Sequence, residues 1–320
     1  MTLVDWRDVP TDVIQPLLLA ERRRVLDRLH WDMGASFKAL ELARQRGDLA
    51  GLLLKDRYGR PAGWAFYILS NRMLQIGGLH ATSAGGVREL LDGILASTEA
   101  TLAQGVSCFL EASTSSLPSA LTRLRFDLLR HDYLEATLAA SWKGTGVAGM
   151  RLLDRGDAPE LVRLFARTYA GLPAARMFAP NARLEEWAHY TAQLLNGPAV
   201  GTWQPNQSFV VPGEDGRLIA AVVTTEVARG ISHVAQVVVD PAYHRRGIGR
   251  ALMCATVDAA ATEGAKRVTL MVEDTNTAAQ GLYASLGFAP RGQFLFGRRG
   301  PVPRTLAGVT FRAGQLRATA

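Results

Sequence analysis

The stretch 237–252, VVVDPAYHRRGIGRAL, combines residue types that suit the binding of a phosphate-bearing ligand. Its three valines predict a buried strand, and an Asp-Pro pair ends the pairing because proline has no N–H to donate. Glycines then let backbone N–H groups approach a ligand, and the N-terminus of the following helix favours negative charge. Arg245, Arg246 and Arg250 add full positive charges. Together these features predict a cradle for a phosphate or pyrophosphate group.

Two common phosphate-binding loops do not match this stretch. The dinucleotide fingerprint requires a third glycine at position 252, where this chain has leucine. The Walker loop requires Gly-Lys followed by Ser or Thr, and the stretch lacks that sequence. The cradle that remains is one for the pyrophosphate of an acyl-CoA.

A second motif further along the chain, VEDTNTAAQGLYASLGF, makes this interpretation specific. With RRGIGRAL it resembles the GNAT superfamily of acetyl-CoA-dependent N-acetyltransferases, and the two motifs occur in the family's order. The resemblance is clear over 151–296 and faint over 1–147. The family's loop usually has Gln or Arg three residues before the first glycine, whereas this chain has His244.

The resemblance implies that the co-substrate is acetyl-CoA, and without a CxxC or Cys/His spacing the sequence gives no signal for a metal. Backbone groups of Val237 and Val239 would pair with the pantetheine arm like an added strand. An N–H near Val238 would polarise the thioester carbonyl, and amides from Arg245 to Arg250 would hold the pyrophosphate. The full set of implied binding residues is Val237, Val238, Val239, His244, Arg245, Arg246, Gly247, Ile248, Gly249, Arg250 and Asn276. Asn276 matches an asparagine that contacts the CoA arm, and it is equally suited to cap a helix.

Catalysis requires an acid for the departing sulfur and a base for an ammonium substrate. Tyr283 matches the family tyrosine beside the thiolate and is the candidate acid, although a core aromatic is the alternative. Glu226, His233 and Glu273 all lie on predicted strands near the expected cleft. Glu226 is the first choice of base and Glu273 the second, with a chain of water molecules as the alternative.

The order of predicted elements over 151–299 is helix, helix, three strands, helix, strand, helix, strand. This order is typical of an α/β fold with a mixed (α+β) sheet. The first half repeats it, and an offset of 162 residues aligns Gly85 with Gly247 and Glu111 with Glu273. We therefore predict two tandem GNAT-like acyl-CoA N-acyltransferase domains. They are a degenerate domain at 1–147 and a catalytic domain at 148–300, followed by a C-terminal tail at 301–320.

The first repeat lacks the residues on which the chemistry depends. SAGGVR stands under RRGIGR, Leu121 under Tyr283 and Thr114 under Asn276. We expect this half to keep the fold without the CoA chemistry and to pack against the active half.

Composition excludes several classes of protein. Hydrophobic residues make up 48% and charged residues 20%, which is typical of a globular chain. Cys108 and Cys254 lie in apolar stretches and are expected to pack in the core. The net charge of +7 comes from scattered arginines without interleaved aromatics, so no nucleic-acid partner is expected. No run reaches the roughly 18 apolar residues of a membrane span, no secretory segment is evident, and we expect a cytoplasmic location.

The acceptor is expected to be an amine of a small molecule or a peptide. In the family the first two helices of a domain and their loop contact the acceptor. The aromatic residues of that region are therefore candidates for acceptor contacts, although most of them are expected to pack in the core. These are Tyr169, Phe178, Trp187 and Tyr190, with Trp31 from the first half. Tandem members such as mycothiol synthases share the predicted layout, and a homodimer is compatible with the sequence. The rival interpretation is a regulatory protein that binds acyl-CoA without turning it over.

Overall fold

The computed structural model describes residues 1–112, 116–138, 146–197 and 200–300 of the 320-residue chain. The predicted tail at 301–320 therefore lies outside the described residues, as does Thr114. The strands are β1 (Thr2–Asp5), β2 (Ala50–Lys55), β3 (Pro61–Ser70), β4 (Met73–Ala81), β5 (Gly105–Glu111), β6 (Asp127–Thr137), β7 (Arg151–Leu152), β8 (Thr202–Trp203), β9 (Phe209–Pro212), β10 (Leu218–Ala228), β11 (Ile231–Val239), β12 (Arg267–Glu273) and β13 (Ala289–Arg299). The α-helices are α1 (Thr11–Leu29), α2 (Gly34–Gln45), α3 (Ala84–Leu95), α4 (Thr98–Leu102), α5 (Ser116–Arg123), α6 (Ala158–Thr168), α7 (Ala175–Phe178), α8 (Leu184–Asn196), α9 (Ile248–Thr262) and α10 (Thr277–Ser285).

The two halves repeat one order of elements. Helices α1 and α2 precede β2, β3 and β4 in the first half, as α6 and α8 precede β9, β10 and β11 in the second. Each set continues with a helix, a strand, a helix and a last strand. The mixed α/β fold and the tandem arrangement predicted from the sequence are confirmed.

The strands form one continuous sheet, in which the halves exchange their last strands. The order is β1-β2-β3-β4-β5-β13-β6-β12-β11-β10-β9-β7, and β8 pairs with β10. Strand β6 lies antiparallel to β12, with His131 opposite Glu273 and Thr137 opposite Arg267. Strand β13 lies antiparallel to β5, with Phe294 opposite Glu111. Each half therefore completes the sheet of the other.

Helices cover both faces of this sheet. On one face, α3 and α5 pack over the first half and α9 and α10 over the second. On the other face, α1 and α2 cover the first half and α6 and α8 the second. A further buried cluster joins residues of both halves at the junction. Its members are Val25, Leu29, Trp31, Tyr133, Val227 and Ile231.

Both cysteines lie in the core. Cys108 and Cys254 are free and buried, and burial raises the pKa of the Cys108 thiol to about 12. No helix in the described part of the chain has the length and apolarity needed to cross a bilayer. The described residues also contain no group of three His, Cys, Asp or Glu that could hold a metal ion.

The exchanged strands make the halves dependent on each other, and this can be tested with separate chains. Expressed alone, fragment 148–320 would leave the edge of β12 unpaired and β13 without β5, and unpaired edges favour aggregation. We expect either fragment alone to aggregate and the co-expressed fragments 1–147 and 148–320 to form a one-to-one complex. Size-exclusion chromatography and circular dichroism would measure this. A monomeric 148–320 fragment that unfolds cooperatively would contradict the expectation.

Candidate active site

A cleft opens in the second half where two parallel strands separate. Strand β11 pairs with β12 only from Ile231 to Val234, opposite Arg267 to Leu270. A bulge follows, since Val234 lies opposite Thr224 on β10 whereas Gln236 lies opposite Val223, so that Ala235 is the extra residue. Bulges bend a strand and commonly end its pairing. The remainder of β11 therefore presents an open edge.

The register decides which backbone groups face that open edge. The Asp240 N–H donates to the Ile219 carbonyl across 2.8 Å. Hydrogen-bonded pairs alternate along an antiparallel ladder, so Val238 bonds to β10 through both its N–H and its C=O. Val237 and Val239 point their backbone groups towards the cleft, which suits the pairing expected of them. The Val238 N–H is not brought to the cleft, and the nearest equivalent donor is the N–H of Val237.

His244 holds the end of β11 in place. Its Nε2 lies 2.9 Å from the Val239 carbonyl oxygen, so it donates when this nitrogen carries the proton. His244, which replaces the usual Gln or Arg, therefore links the exposed loop to the last residue of the strand. The bond uses one of the polar groups that Val239 turns towards the cleft.

The N-terminus of α9 lies at the loop where the glycines predict a phosphate cradle. Gly247 is its N-cap in a left-handed conformation, with φ of 77°, and no side chain caps the helix. A Cβ placed on Gly247 would meet no atom within 4 Å, so this point is open. Uncapped N–H groups and the positive end of the helix dipole together favour an anion. The amides of Ile248, Gly249 and Arg250 belong to this first turn.

The corresponding helix of the first half begins differently. Only residues 82–83 connect β4 to α3, whereas residues 240–247 connect β11 to α9. Ser83 caps α3, and its hydroxyl accepts a hydrogen bond from the Gly86 N–H at 3.1 Å. A serine thus occupies the position that an anion would take.

The three arginines of the loop differ in their contacts. Arg245 has a positive φ of 60°, and Arg246 stacks over the Tyr243 ring with its guanidinium carbon 4.9 Å from the centroid. Arg250 donates to the Ser285 hydroxyl at 2.9 Å and so links α9 to α10. All three are exposed, and each leaves further N–H donors free for phosphate oxygens.

Asn276 and Tyr283 both lie on the elements expected of them. Asn276 caps α10, accepting from the Ala279 N–H at 3.1 Å, and its side-chain NH₂ has no part in that bond. Tyr283 is 5% exposed, and its ring packs edge-on against Phe288. Burial raises the pKa of the Tyr283 phenol, and the neighbouring Tyr169 raises it further. The phenol therefore keeps its proton at neutral pH.

The three candidate bases lie in different surroundings. Glu226 accepts from the Gly230 N–H at 3.1 Å, at the turn between β10 and β11. It lies opposite Ser232, which puts it about 16 Å along β11 from Val237 at ~3.3 Å per residue. The structure therefore does not bring Glu226 to the cradle.

Glu273, by contrast, ends β12 where the cleft opens. Its Oε1 accepts from the Thr275 hydroxyl at 2.6 Å. Its charge is close enough to Tyr169 to raise the pKa of that phenol, after the larger effect of burial.

His233 lies in the junction between the halves, away from the cleft. It is 3% exposed, its Nδ1 lies 2.9 Å from the Thr269 hydroxyl, and its ring stacks on Tyr133 at 5.9 Å. Trp31 packs on its ring, with the centroids 4.9 Å apart. Burial lowers the pKa of His233 to about 3. Both Trp31 and His233 therefore serve the contact between the halves.

An aromatic cluster with a polar centre lies beside the open edge of β11. The Tyr169 hydroxyl donates to Gln236 Oε1 at 2.8 Å, and Gln236 Nε2 donates to the Tyr190 hydroxyl at 2.6 Å. Phe178 packs on both tyrosines, with centroid distances of 5.2 and 4.6 Å. Trp187 is 2% exposed and lies in the core beneath. Sequence reasoning missed Gln236, whose only signal is a polar residue within an apolar strand.

His131 is a second residue that sequence reasoning missed. It comes from the first half, yet the exchanged strand β6 puts it directly opposite Glu273. It is 6% exposed, and its Nδ1 has no hydrogen-bond partner among the described residues. Burial lowers the pKa of His131, against an opposing effect of Glu273, and keeps the imidazole neutral. No motif near position 131 indicates that His131 lies beside Glu273, because the strand exchange is what brings the two residues together.

Comparisons with known proteins agree with this geometry. The model of the acetyltransferase (GNAT) family matches residues 172–288. The [ribosomal protein bS18]-alanine N-acetyltransferase of Escherichia coli is 32% identical over 117 residues, which cover 37% of this chain and 74% of the relative. The mycothiol acetyltransferase of Thermobispora bispora is 31% identical over 198 residues, covering 48% and 67%. The chain therefore belongs to the GNAT family of acetyltransferases.

Solved structures share the fold over most of the chain. A GCN5-related N-acetyltransferase from Sphaerobacter thermophilus has a TM-score of 0.64 at 18% identity, covering 93% of this chain and 95% of that one. A tandem GNAT protein from the clavulanic acid biosynthesis pathway has a TM-score of 0.54 at 14% identity, covering 79% and 83%. The second of these bears out the tandem arrangement.

The surroundings of His233 predict a pH dependence of stability. Its folded pKa of about 3 is below the ordinary 6.5, so protons bind the unfolded chain more strongly. The contribution of His233 to the free energy of unfolding is complete above pH 6.5 and is lost as the pH falls towards 3. Between pH 7.5 and 5.0 this loss amounts to about 2 kcal/mol of unfolding free energy. His233→Asn should reduce the fall by that amount in urea titrations. Replacing the exposed His189 by Asn should not, and an unchanged pH dependence in His233→Asn would refute the prediction.

Proposed function

We propose that this protein transfers the acetyl group of acetyl-CoA to an amine by direct attack, at a single site in its second half. The observation that carries the proposal is the uncapped N-terminus of α9 at the end of the open edge of β11. An open strand edge suits an extended amide-containing arm, and the helix N-terminus suits its pyrophosphate. Membership of the family supports acetyl-CoA as the co-substrate.

The residues available for binding fit acetyl-CoA. The N–H of Val239 and the C=O of Val237 would pair with the amides of the pantetheine arm, which leaves the Val237 N–H for the thioester carbonyl. The first-turn amides of α9 and the side chain of Arg250 would receive the pyrophosphate. The free NH₂ of Asn276 would donate to the CoA arm while its oxygen continues to cap α10.

The same residues support the chemistry. The amine nitrogen forms a bond to the thioester carbonyl carbon, and the carbon–sulfur bond then breaks. The N–H of Val237, which adjoins Val238, would stabilise the developing oxyanion. Tyr283, kept protonated by its burial, would pass its hydroxyl proton to the departing sulfur.

The geometry favours Glu273 over Glu226 as the base. Glu273 ends β12 at the cleft, whereas Glu226 is engaged at the far turn of the hairpin. Glu273 would take the proton of the ammonium substrate, directly or through one water molecule. His131, neutral and beside Glu273, would share that proton. The nitrogen passes its second proton to solvent as the carbon–sulfur bond breaks, which leaves the neutral amide. Glu273 returns its proton to solvent and Tyr283 regains one from solvent, so that one proton is released per turnover.

For the acceptor, we propose only a chemical class. The relatives are named for a ribosomal protein alanine and for mycothiol, so both a peptide amine and a small-molecule amine are supported. We favour the small-molecule amine of the mycothiol type, because the mycothiol acetyltransferase matches a longer part of this chain than the ribosomal-protein acetyltransferase does. The domain limits 1–147 and 148–300, the cytoplasmic location and a homodimer stay predictions.

The difference between the two helix N-termini predicts one acetyl-CoA per chain. Titration calorimetry should give a stoichiometry of one, because Ser83 already caps α3. Gly247→Ala should weaken binding about tenfold, since alanine at φ of 77° costs roughly 1–2 kcal/mol and moves the amides of the loop. The aligned Gly85→Ala in the first half is the control and should leave affinity unchanged. Two equivalent sites per chain would contradict the prediction.

Tyr283 separates an enzyme from a protein that only binds acyl-CoA. Tyr283→Phe should lower kcat for amine acetylation about 100-fold or more, with little change in the dissociation constant for acetyl-CoA. Release of free CoA with a panel of amines would measure this. Tyr243→Phe, at the exposed loop, is the control. Turnover unchanged in Tyr283→Phe would remove the acid role, and no turnover with any amine would favour the binding protein.

A further inference from the structure

Two arginines lie close together beside the aromatic cluster, and one of them is buried. Arg298 on β13 is 4% exposed, and its Nη1 donates to the Pro180 carbonyl at 2.9 Å. Its Nε is buried without a hydrogen-bond partner in the described structure. Arg176 on α7 precedes Pro180 by four residues, and its Nε is likewise buried without a described partner. Both guanidinium groups therefore have unused N–H donors, and both belong to or contact the segment 176–180.

This pair has no acidic side chain to neutralise it. Neither arginine forms an ion pair with the described residues. Asp127 lies opposite Arg298 on β6 and forms no ion pair with it. The charge of Glu186 acts on Arg298, but the two Glu186 oxygens accept from the Asn181 N–H, the Asn181 side chain and the Arg183 N–H. The segments outside the description, 113–115, 139–145, 198–199 and 301–320, contain no Asp or Glu in the sequence.

Electrostatics makes an external anion the simplest complement to the pair. Burial lowers the pKa of Arg298, and the charge of Arg176 lowers it further. A buried cation is costly unless it is paired, and a second cation beside it adds to the cost. The planar guanidinium group matches the paired oxygens of a carboxylate or a phosphate.

The arginines lie on the acceptor side of the proposed site. Arg176 is two residues from Phe178, which packs on Tyr169 and Tyr190. Arg298 lies on the same face of β13 as Phe294. Phe294 is opposite His131 on β6, and His131 is opposite Glu273 on β12. Two strand spacings of ~5 Å and four residues of ~3.3 Å put the Cα atoms of Glu273 and Arg298 about 16 Å apart.

We propose that Arg176 and Arg298 together bind an anionic group, a carboxylate or a phosphate, at the end of the acceptor remote from its amine. The proposal rests on the proposed acetyltransferase function and adds the chemical class of the acceptor. The separation along the sheet requires several bonds between amine and anion. A free α-amino acid is therefore too short, whereas a short peptide or an acidic amine of similar length fits.

Straight-chain amines serve as molecular rulers for the test. One series consists of ω-aminoalkanoates of two to eight carbons with their matching amides, and the other of aminoalkyl phosphates with their matching amino alcohols. Acetylation would be followed as CoA release, and binding in the presence of CoA by titration calorimetry. We expect kcat/KM and affinity to favour the anionic member by tenfold or more at the longer lengths and not at the shortest. The series with the larger ratio identifies carboxylate or phosphate.

Variants assign the preference to this pair. Arg176→Gln, at a partly exposed position, should reduce the anionic-to-neutral ratio to about one, and Arg298→Met should do the same if it folds. Arg298→Lys keeps the charge and should retain part of the preference. Arg183→Gln is the matched control, because it removes one charge from the same segment and its side chain is 69% exposed.

Two outcomes would overturn the inference. One is equal binding of the charged and neutral members by the wild-type protein, even if both are acetylated. The other is a preference that survives in Arg176→Gln. The opposite pattern, in which long anionic amines bind preferentially and none is acetylated, would support the anion site and refute the proposed transferase activity.

Discussion

Two interlocked strand ladders, β6 against β12 and β13 against β5, are the constraint on which the rest of this structure depends. They join the repeats into one sheet whose hydrogen bonds neither half could complete alone. Strand β12 forms one wall of the cleft, and the first half supplies its neighbour. The first repeat therefore contributes to the site through its last strand, although its own phosphate loop is missing.

The contrast between the two repeats shows how a fold can outlast a site. Both halves keep parallel strands that pair for four residues and then separate, at Met73–Ile76 and at Ile231–Val234. The divergence lies in the connection that follows. In the first half it is short and ends on a capping serine, and in the second it is long and ends on an uncapped glycine. The two halves thus differ in whether a side chain satisfies the backbone N–H groups at the start of this helix.

Much of the fold followed from the sequence, because apolar periodicity and turn residues are local signals. The element order, the repeat and the place of the cradle belong to this group. The roles of individual side chains were less predictable. Glu226 and Glu273 are both acids on strands, and only the register separates the turn from the cleft. An N–H near Val238 was expected at the thioester, and the alternation of ladder bonds, which turns the Val238 N–H towards β10, leaves that of Val237 as the candidate.

The sequence by itself determined the family, the ligand class and the asymmetry between the repeats, since the motif RRGIGRAL and its degenerate counterpart are contiguous in the chain. The tertiary structure decided which residues meet across the halves. His131 beside Glu273, and Arg298 beside the segment that follows α7, are products of the strand exchange. The physical reason is that strand pairing is set by long-range packing and register, which no local pattern of residues encodes.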